Sequence, residues 1–372
     1  MSGKIRNYYA GGNTAKGFYN LYDSNLAGLE RLFILKGGPG TGKSTLMKKV
    51  GKEWSEKGYD IEYLHCSSDN NSIDGVIIRE LGCGIVDGTA PHVIEPKAPG
   101  AVEEYVNLGE AWDAKKLATQ RKQIEALQTQ ISAAFQAAYD DYAEALAIHD
   151  EWEEFYINNM DFAKANDLTL QLITQFFGEN SLNKPADIRH RFLGAATPKG
   201  PNDFIPNLTA DIEKRFFIKG RPGSGKSTML KKLVTGAEER GFDAEVYHCG
   251  FAPNSLDMVI LRELGIAIFD STAPHEYFPE REGDEIVDMY EKTITPGTDE
   301  KYASEIAEVE KRYSEKMKQG TSHLAEAKAL HDDLEEIYAT AMDFKKIEAI
   351  QSNIQKQITE HAGGSATDKI AK

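Results

Sequence analysis

The 372-residue chain is short of cysteine, of positive charge and of long apolar runs. Its cysteines, Cys66, Cys83 and Cys249, are odd in number and lack the paired spacing of a metal site, so free thiols are expected. Lys and Arg number 43 against 59 Asp and Glu, a formal charge of -16 that repels a polyanion at long range and excludes nonspecific coating of nucleic acid. A local basic groove is not excluded by this. No window approaches the 18 or more apolar residues of a membrane span, so no membrane insertion is expected. The opening MSGKIRNYYAGG lacks the apolar core of a secretory signal, and with free thiols this places the expectation in the cytoplasm. Neither the LSGGQ string of ABC transporters nor the DEAD or DEAH string of helicases occurs, which argues against both classes.

What is present is a duplication. FILKGGPGTGKSTLMKK begins at residue 33 and FFIKGRPGSGKSTMLKK at 216, and aligning Lys43 with Lys226 gives an offset of 226 - 43 = 183. The register holds upstream, pairing 5–17 with 188–200, and downstream, pairing 65–92 with 248–275. With the offset slipping by one, HDEWEEFYINNMDF (149–162) also matches HDDLEEIYATAMDF (331–344). The Gly, Asn, Ser and Pro of GENSLNKPAD (178–187) read as a linker, which divides the chain into domains 1–182 and 183–372.

Around each glycine-rich segment the pattern is strand, loop, helix: RLFIL or RFFI leads in, and a helix follows, closed in the first copy by Gly58. The runs 61–66 and 244–249 read as a second buried strand, and 83–87 and 266–270 as a third. The segment 72–82 reads either as a helix capped by Ser72 or, the reading we prefer, as a strand through Val76, Ile77 and Ile78 that turns at Gly82. The pattern predicts an α/β fold of two tandem domains, each a mainly parallel sheet with helices on both faces. Segments 112–177 and 299–360 are rich in Ala, Glu, Lys and Gln. Ile124, Leu127, Ile131, Phe135, Ala138, Tyr142 and Leu146 recur at helical spacing, and long antiparallel helical hairpins are expected.

Both loops fit G-x-x-x-x-G-K-[ST]: Gly37, Gly42, Lys43 and Ser44, then Gly220, Gly225, Lys226 and Ser227. Glycines let successive backbone N–H groups face phosphate oxygens, and the following helix adds its positive end. The lysine then neutralises β and γ phosphates while the serine hydroxyl ligates Mg²⁺. The expected nucleotide contacts are Gly38, Pro39, Gly40, Thr41, Gly42, Lys43, Ser44 and Thr45 in one copy. In the other they are Arg221, Pro222, Gly223, Ser224, Gly225, Lys226, Ser227 and Thr228. Asp87 and Asp270 end strand-like runs, where a carboxylate holds the Mg²⁺ shell with Ser44 or Ser227, orients the attacking water, or only structures the following turn.

These motifs resemble the P-loop NTPase superfamily. Together with HCSSDNNSIDG, DGTAPH and their second copies, they also resemble an uncharacterised bacterial family of tandem P-loop ATPase-like proteins across nearly the whole chain. The resemblance implies the fold and ATP as cofactor, with no settled substrate. One departure concerns the MinD-like branch of the superfamily, where a second lysine stands five positions before the loop lysine. Here those positions hold Gly38 and Arg221, so only Arg221 could act across an interface, and an ordinary solvated loop arginine is its other reading.

Of the remaining repeated residues, His92 and His275 are open between structural and catalytic roles. His65 with Cys66, and His248 with Cys249, offer too few ligands for a metal and read as strand-end packing. Arg79 and Arg262 are either arginines supplied across the two domains or partners of the adjacent Glu80 and Glu263. His149 and His331 read as packed helix residues. The expectation is an Mg-dependent ATPase with two sites in an intramolecular pseudo-dimer, with Lys43, Asp87, Lys226 and Asp270 catalytic. Its helices would engage an unassigned protein or nucleic-acid partner. A kinase for a small acceptor and a nucleotide switch without turnover are the alternatives.

Overall fold

Residues 66–72 join the strand Ile61–His65 to Ile73–Ile78, and residues 79–82 join the latter to Cys83–Asp87. Both links fall far short of the crossover of a dozen or more residues that parallel neighbours need, so the middle strand must run against both. In the computed structural model, which describes residues 2–370 with side chains through residue 363, it does. The second link is a short helical turn, Arg79–Leu81, closed by Gly82 at φ 60°. The strand reading of 72–82 therefore holds, and with it the turn at Gly82.

Two compact units divide the chain, and they are not the halves 1–182 and 183–372. The first comprises Met1–Gly11, Leu26–Gln136 and His323–Lys372; the second comprises Gly12–Asn25 and Ala137–Ser322. The first unit holds a six-stranded sheet in the order Ile5–Tyr8, Ile61–His65, Ile73–Ile78, Cys83–Asp87, Arg31–Lys36, Glu103–Asn107. All but Ile73–Ile78 share one direction, so the sheet is mainly parallel, as expected, with one antiparallel strand. The helix Lys43–Glu56 lays Leu46, Met47, Val50 and Trp54, spaced by three and four, onto Phe33, Leu35, Val76 and Ile85.

The second unit repeats this sheet with Asp284–Asp288, Lys214–Lys219, Ile266–Asp270, Leu256–Leu261, Ala244–His248 and Ile188–Phe192. It adds a four-stranded sheet in the order Gly200–Asp203, Gly194–Thr197, Gly11–Thr14, Gly17–Asn20. There Asn13 pairs antiparallel with Ala196, its own equivalent at the offset of 183.

The long segments are helical, but their partners differ from the expected hairpins. In the helix Phe162–Phe177, which follows the first loop in sequence, Leu168, Leu172, Phe176 and Phe177 enter the core of the second unit, with Phe216, Leu230, Leu233 and Phe242. In the helix Phe344–Ile370, which follows the second loop, Ile347, Ile354 and Ile358 enter the core of the first. The apolar seam of the helix Arg121–Ile157 likewise faces the other copy's long helix, Ala303–Ala339. In the first unit Ile124, Leu127 and Ile131 meet Leu330, Leu334 and Ile337. In the second unit Lys316 binds Asp141 at 3.0 Å and Arg312 binds Glu151 at 2.7 Å. Helical periodicity fixes which face is apolar and leaves open which sheet or helix covers it.

The seam is tight at Gly320, because a Cβ there would collide with the ring of the fully buried Tyr142. Gly320→Ala is expected to destabilise the protein by about 1–3 kcal/mol, the usual result of overpacking, although alanine is the better helix former. Denaturant titration checks this, and an unchanged or higher stability would mean that the two helices do not meet there.

No helix among the described residues is long and apolar enough to cross a membrane.

Candidate functional site

Each glycine-rich loop is tied internally before any ligand is considered. Thr41 donates to the Gly38 carbonyl at 2.9 Å, and Ser224 donates to that of Arg221 at 2.7 Å. Both side chains are buried and serve the loop. Gly40 and Gly42 adopt φ of 65° and 83°, and Gly223 and Gly225 adopt 71° and 86°, a region only glycine enters freely. A Cβ at Gly40 would also lie 2.7 Å from the Glu335 backbone oxygen, and one at Gly223 would lie 2.6 Å from that of Glu153. The long helix of one copy therefore rests on the loop of the other.

The lysine at the start of each loop helix turns back into the loop. Lys43 Nζ donates to the Gly37 and Gly38 carbonyls at 2.8 and 2.9 Å and lies 3.4 Å from Asp87 Oδ2. Lys226 Nζ lies 3.1 Å from Asp270 Oδ2 and 3.2 Å from Thr272 Oγ1. The hydroxyl oxygens of Ser44 and Ser227 accept the backbone N–H of Ile73 and Leu256 at 3.1 and 3.0 Å. Asp87 and Asp270 structure the turn that follows each strand and also face the loop lysine. One oxygen accepts from the backbone and side chain of Thr89 or Thr272, shaping the turn, and the other faces the lysine.

Sequence reasoning overlooked a second carboxylate in each copy. Asp74 and Asp257 lie on the antiparallel strands, buried inside apolar runs, so SIDGVII and SLDMVIL read only as strand. A charged residue at the same place in both buried runs was the available signal. Burial raises both carboxyl groups, Asp257 to about 6, with the neighbouring Asp270 adding to the effect. Burial, followed by these carboxylates, also pushes the Cys66 and Cys249 thiols well above their usual range. His92 Nε2 lies 3.4 Å from Asp74 Oδ2, whereas His275 Nδ1 turns to Asp203 Oδ2 at 2.8 Å. Although burial opposes its charge, Asp203, Asp257 and Asp270 together raise His275.

Helical His149 packs as read from sequence, against the rings of Trp152, Phe251 and Tyr313, and together with its counterpart His331 it also stands near a loop lysine. Burial lowers both imidazoles, with Lys226 acting further on His149 and Lys43 on His331. In the second unit His149, Trp152 and Glu153 line a cavity of about 960 Å³ together with the loop 220–228, Asp257, Asp270 and Tyr313. The aromatic wall of that cavity is particular to this copy: Trp152, Phe251 and Tyr313 correspond in sequence to Leu334, Ser68 and Ile131.

The arginines considered for crossing between domains are committed elsewhere. Arg79 binds Glu62 at 2.8 Å and Arg262 binds Glu245 at 2.7 Å, so their partners are strand carboxylates rather than the adjacent Glu80 and Glu263. Glu62 is buried and needs a counter-charge. Burial alone would raise Glu245, and Arg191 with Arg262 overcomes it and holds the group low. Arg221 binds Asp299 at 2.8 Å within its own unit, half-exposed beside the loop. His65 meets Asn7 at 2.9 Å and His248 meets His190 at 2.8 Å, consistent with strand-end packing.

Asp257 yields a prediction in which stability and the site trade against each other. Its folded value near 6 lies above the unfolded value of about 3.9, so the native chain keeps this proton to a higher pH. The resulting penalty is absent below about pH 4, builds as pH rises, and is complete above about pH 6. Asp257→Asn should therefore stabilise the protein on the order of 2–3 kcal/mol at pH 7.5 and by nothing at pH 4. Denaturant titrations at both pH values measure the difference from wild type, and an equal difference at both would remove the buried carboxylate from the account.

Comparison of the chain with protein-family models, curated proteins and solved structures finds no match.

Proposed function

We propose that the protein is a Mg-dependent ATPase of the P-loop NTPase type with two nucleotide sites, each joining the loop of one sequence copy to the long helix of the other. The observation that carries this reading is a geometry repeated twice. A loop lysine is held against loop carbonyls within 3.4 Å of a strand-end carboxylate, beside an anchored serine hydroxyl and beneath a half-exposed His–Glu helical turn. The four positive-φ glycines, of which Gly40 and Gly223 also leave no room for a Cβ, suit a backbone that must approach phosphate closely.

Ser44 with Asp87, and Ser227 with Asp270, would hold the cation, which neutralises phosphate charge when bound. Lys43 and Lys226 would exchange their loop carbonyls for phosphate oxygens. Glu153 and Glu335, beside neutral His149 and His331, would orient the attacking water and take its proton. The long helices that cover the loops would carry the consequence of hydrolysis to a protein or nucleic-acid partner.

Transfer to a small acceptor is the second reading. The second unit's cavity of about 960 Å³ is near the top of the range of roughly 300–1,000 Å³ for ligand pockets and leaves room beside a nucleotide. Phosphate release from Mg-ATP by the full chain tests both readings. Turnover that needs Mg²⁺ and falls at least about 100-fold in the Lys43→Ala, Lys226→Ala double variant is expected for the ATPase. Turnover only on adding an acceptor would favour the kinase, and binding without either activity would leave a nucleotide switch.

A further inference from the structure

We propose that the first unit carries a site for one borderline-soft divalent cation, zinc above all, formed by the thiolate of Cys66, the carboxylate of Asp74 and the imidazole of His92. Three separate elements bring these groups together. Cys66 follows the strand Ile61–His65, Asp74 lies on Ile73–Ile78, and His92 closes a turn by donating its backbone N–H to the Thr89 carbonyl at 2.8 Å. One donor atom from each lies within 4.8 Å of the others, and His92 Nε2 is 3.4 Å from Asp74 Oδ2. In a tetrahedral zinc site with bonds of about 2.0–2.3 Å, ligand atoms stand roughly 3.3–3.8 Å apart. The His–Asp pair already has that spacing, and the thiol needs to move by no more than about 1 Å, a side-chain rotation.

The surroundings favour a cation over an ordinary packed cluster. All three residues are buried, and Asp74 Oδ2 has no hydrogen-bond partner among the described residues while only 4 % of the residue is exposed. Although the Cys66 thiol hydrogen-bonds to this carboxylate and the His92 imidazole stands beside it, a buried carboxylate oxygen left without a hydrogen bond is costly unless a charge compensates it. Sulfur, nitrogen and oxygen donors in one site select zinc over magnesium or calcium, which prefer oxygen alone. Three protein ligands leave a fourth position open, as in zinc sites that bind a further molecule. The two helical groups, His149–Asp150–Glu153 and His331–Asp332–Glu335, each occupy one turn of helix and already belong to the nucleotide sites.

The second copy provides an internal control. It retains Cys249, Asp257 and His275, but His275 Nδ1 is bound to Asp203, which Tyr277 also holds at 2.8 Å. The first-copy counterparts of Asp203 and Tyr277 are Asn20 and Ile94, so the carboxylate that captures the second histidine is not encoded in the first copy. One cation per chain follows.

The full chain, stripped with a chelator and free of nucleotide, is titrated with Zn²⁺ against a chromogenic chelator, and separately with Co²⁺ while absorbance is followed. One Zn²⁺ per chain and a thiolate-to-cobalt charge-transfer band are expected. Cys66→Ser and His92→Ala should each remove the cobalt band or weaken zinc binding by more than the roughly 10- to 100-fold that loss of an outer-shell partner costs. Cys249→Ser should change neither. Far-UV circular dichroism and the thermal midpoint verify the fold of each variant, and Asp74→Asn replaces any that fails to fold. Absence of stoichiometric zinc, a cobalt band that survives Cys66→Ser, or equal loss in Cys249→Ser would overturn the site. Because nucleotide is absent throughout, the result is independent of the ATPase reading.

Discussion

Severed between residues 182 and 183, the chain should give two halves that fail to fold alone and regain a cooperative transition when co-expressed. The half 183–372 would lose Leu168, Leu172, Phe176 and Phe177, which are buried against its own sheet and loop helix. At about 1.5–3 kcal/mol for each large apolar side chain, these four represent roughly 6–12 kcal/mol. That is comparable with the whole stability of an ordinary domain, about 5–15 kcal/mol. The half 1–182 would lose Ile347, Ile354 and Ile358 from its core in the same way. Thermal unfolding followed by circular dichroism reads the outcome. Two halves that each melt cooperatively, with native helicity, would mean that the exchanged helices are dispensable.

The second large effect is a crossed dependence of activity on the helices. With the first loop disabled by Lys43→Ala, hydrolysis remaining at the second should fall by about 10²–10⁴-fold on replacing Glu153 with Gln and should ignore Glu335→Gln. With Lys226→Ala the pattern should reverse. The basis is that Glu153 borders the Gly223 loop and Glu335 borders the Gly40 loop, each from the other sequence copy. Steady-state phosphate release by the four double variants measures it. Sensitivity of each loop to the glutamate of its own copy instead would contradict the assignment.

This exchange also explains what the sequence could and could not reveal. The two loops, the offset of 183 and the strand before each loop are local features, readable because the glycines, lysine and serine stand at fixed spacing. The antiparallel strand Ile73–Ile78 was likewise legible, since residues 79–82 allow only a tight turn. By contrast, Leu168, Leu172 and Phe176 announce an apolar helix face without naming its sheet, and the intended partner lies in the other copy. Asp74 and Asp257 were hidden because their neighbours are apolar, and the pattern of a run says little about one polar member. His149 does pack, as its place on a long helix suggests, and only its position beside the other copy's loop, which helical spacing cannot show, was hidden. Arg79 and Arg262 were misassigned through adjacency in sequence, whereas the carboxylates that need them, Glu62 and Glu245, lie across the sheet.

The central claim, two nucleotide sites of one construction, is tested most directly by calorimetric titration of the full chain with Mg-ATP under non-turnover conditions, using a non-hydrolysable analogue. A stoichiometry of two that falls to one in Lys43→Ala, to one in Lys226→Ala and to none in the double variant is predicted. A stoichiometry of two that survives both substitutions, or of one that is indifferent to Lys226→Ala, would contradict it.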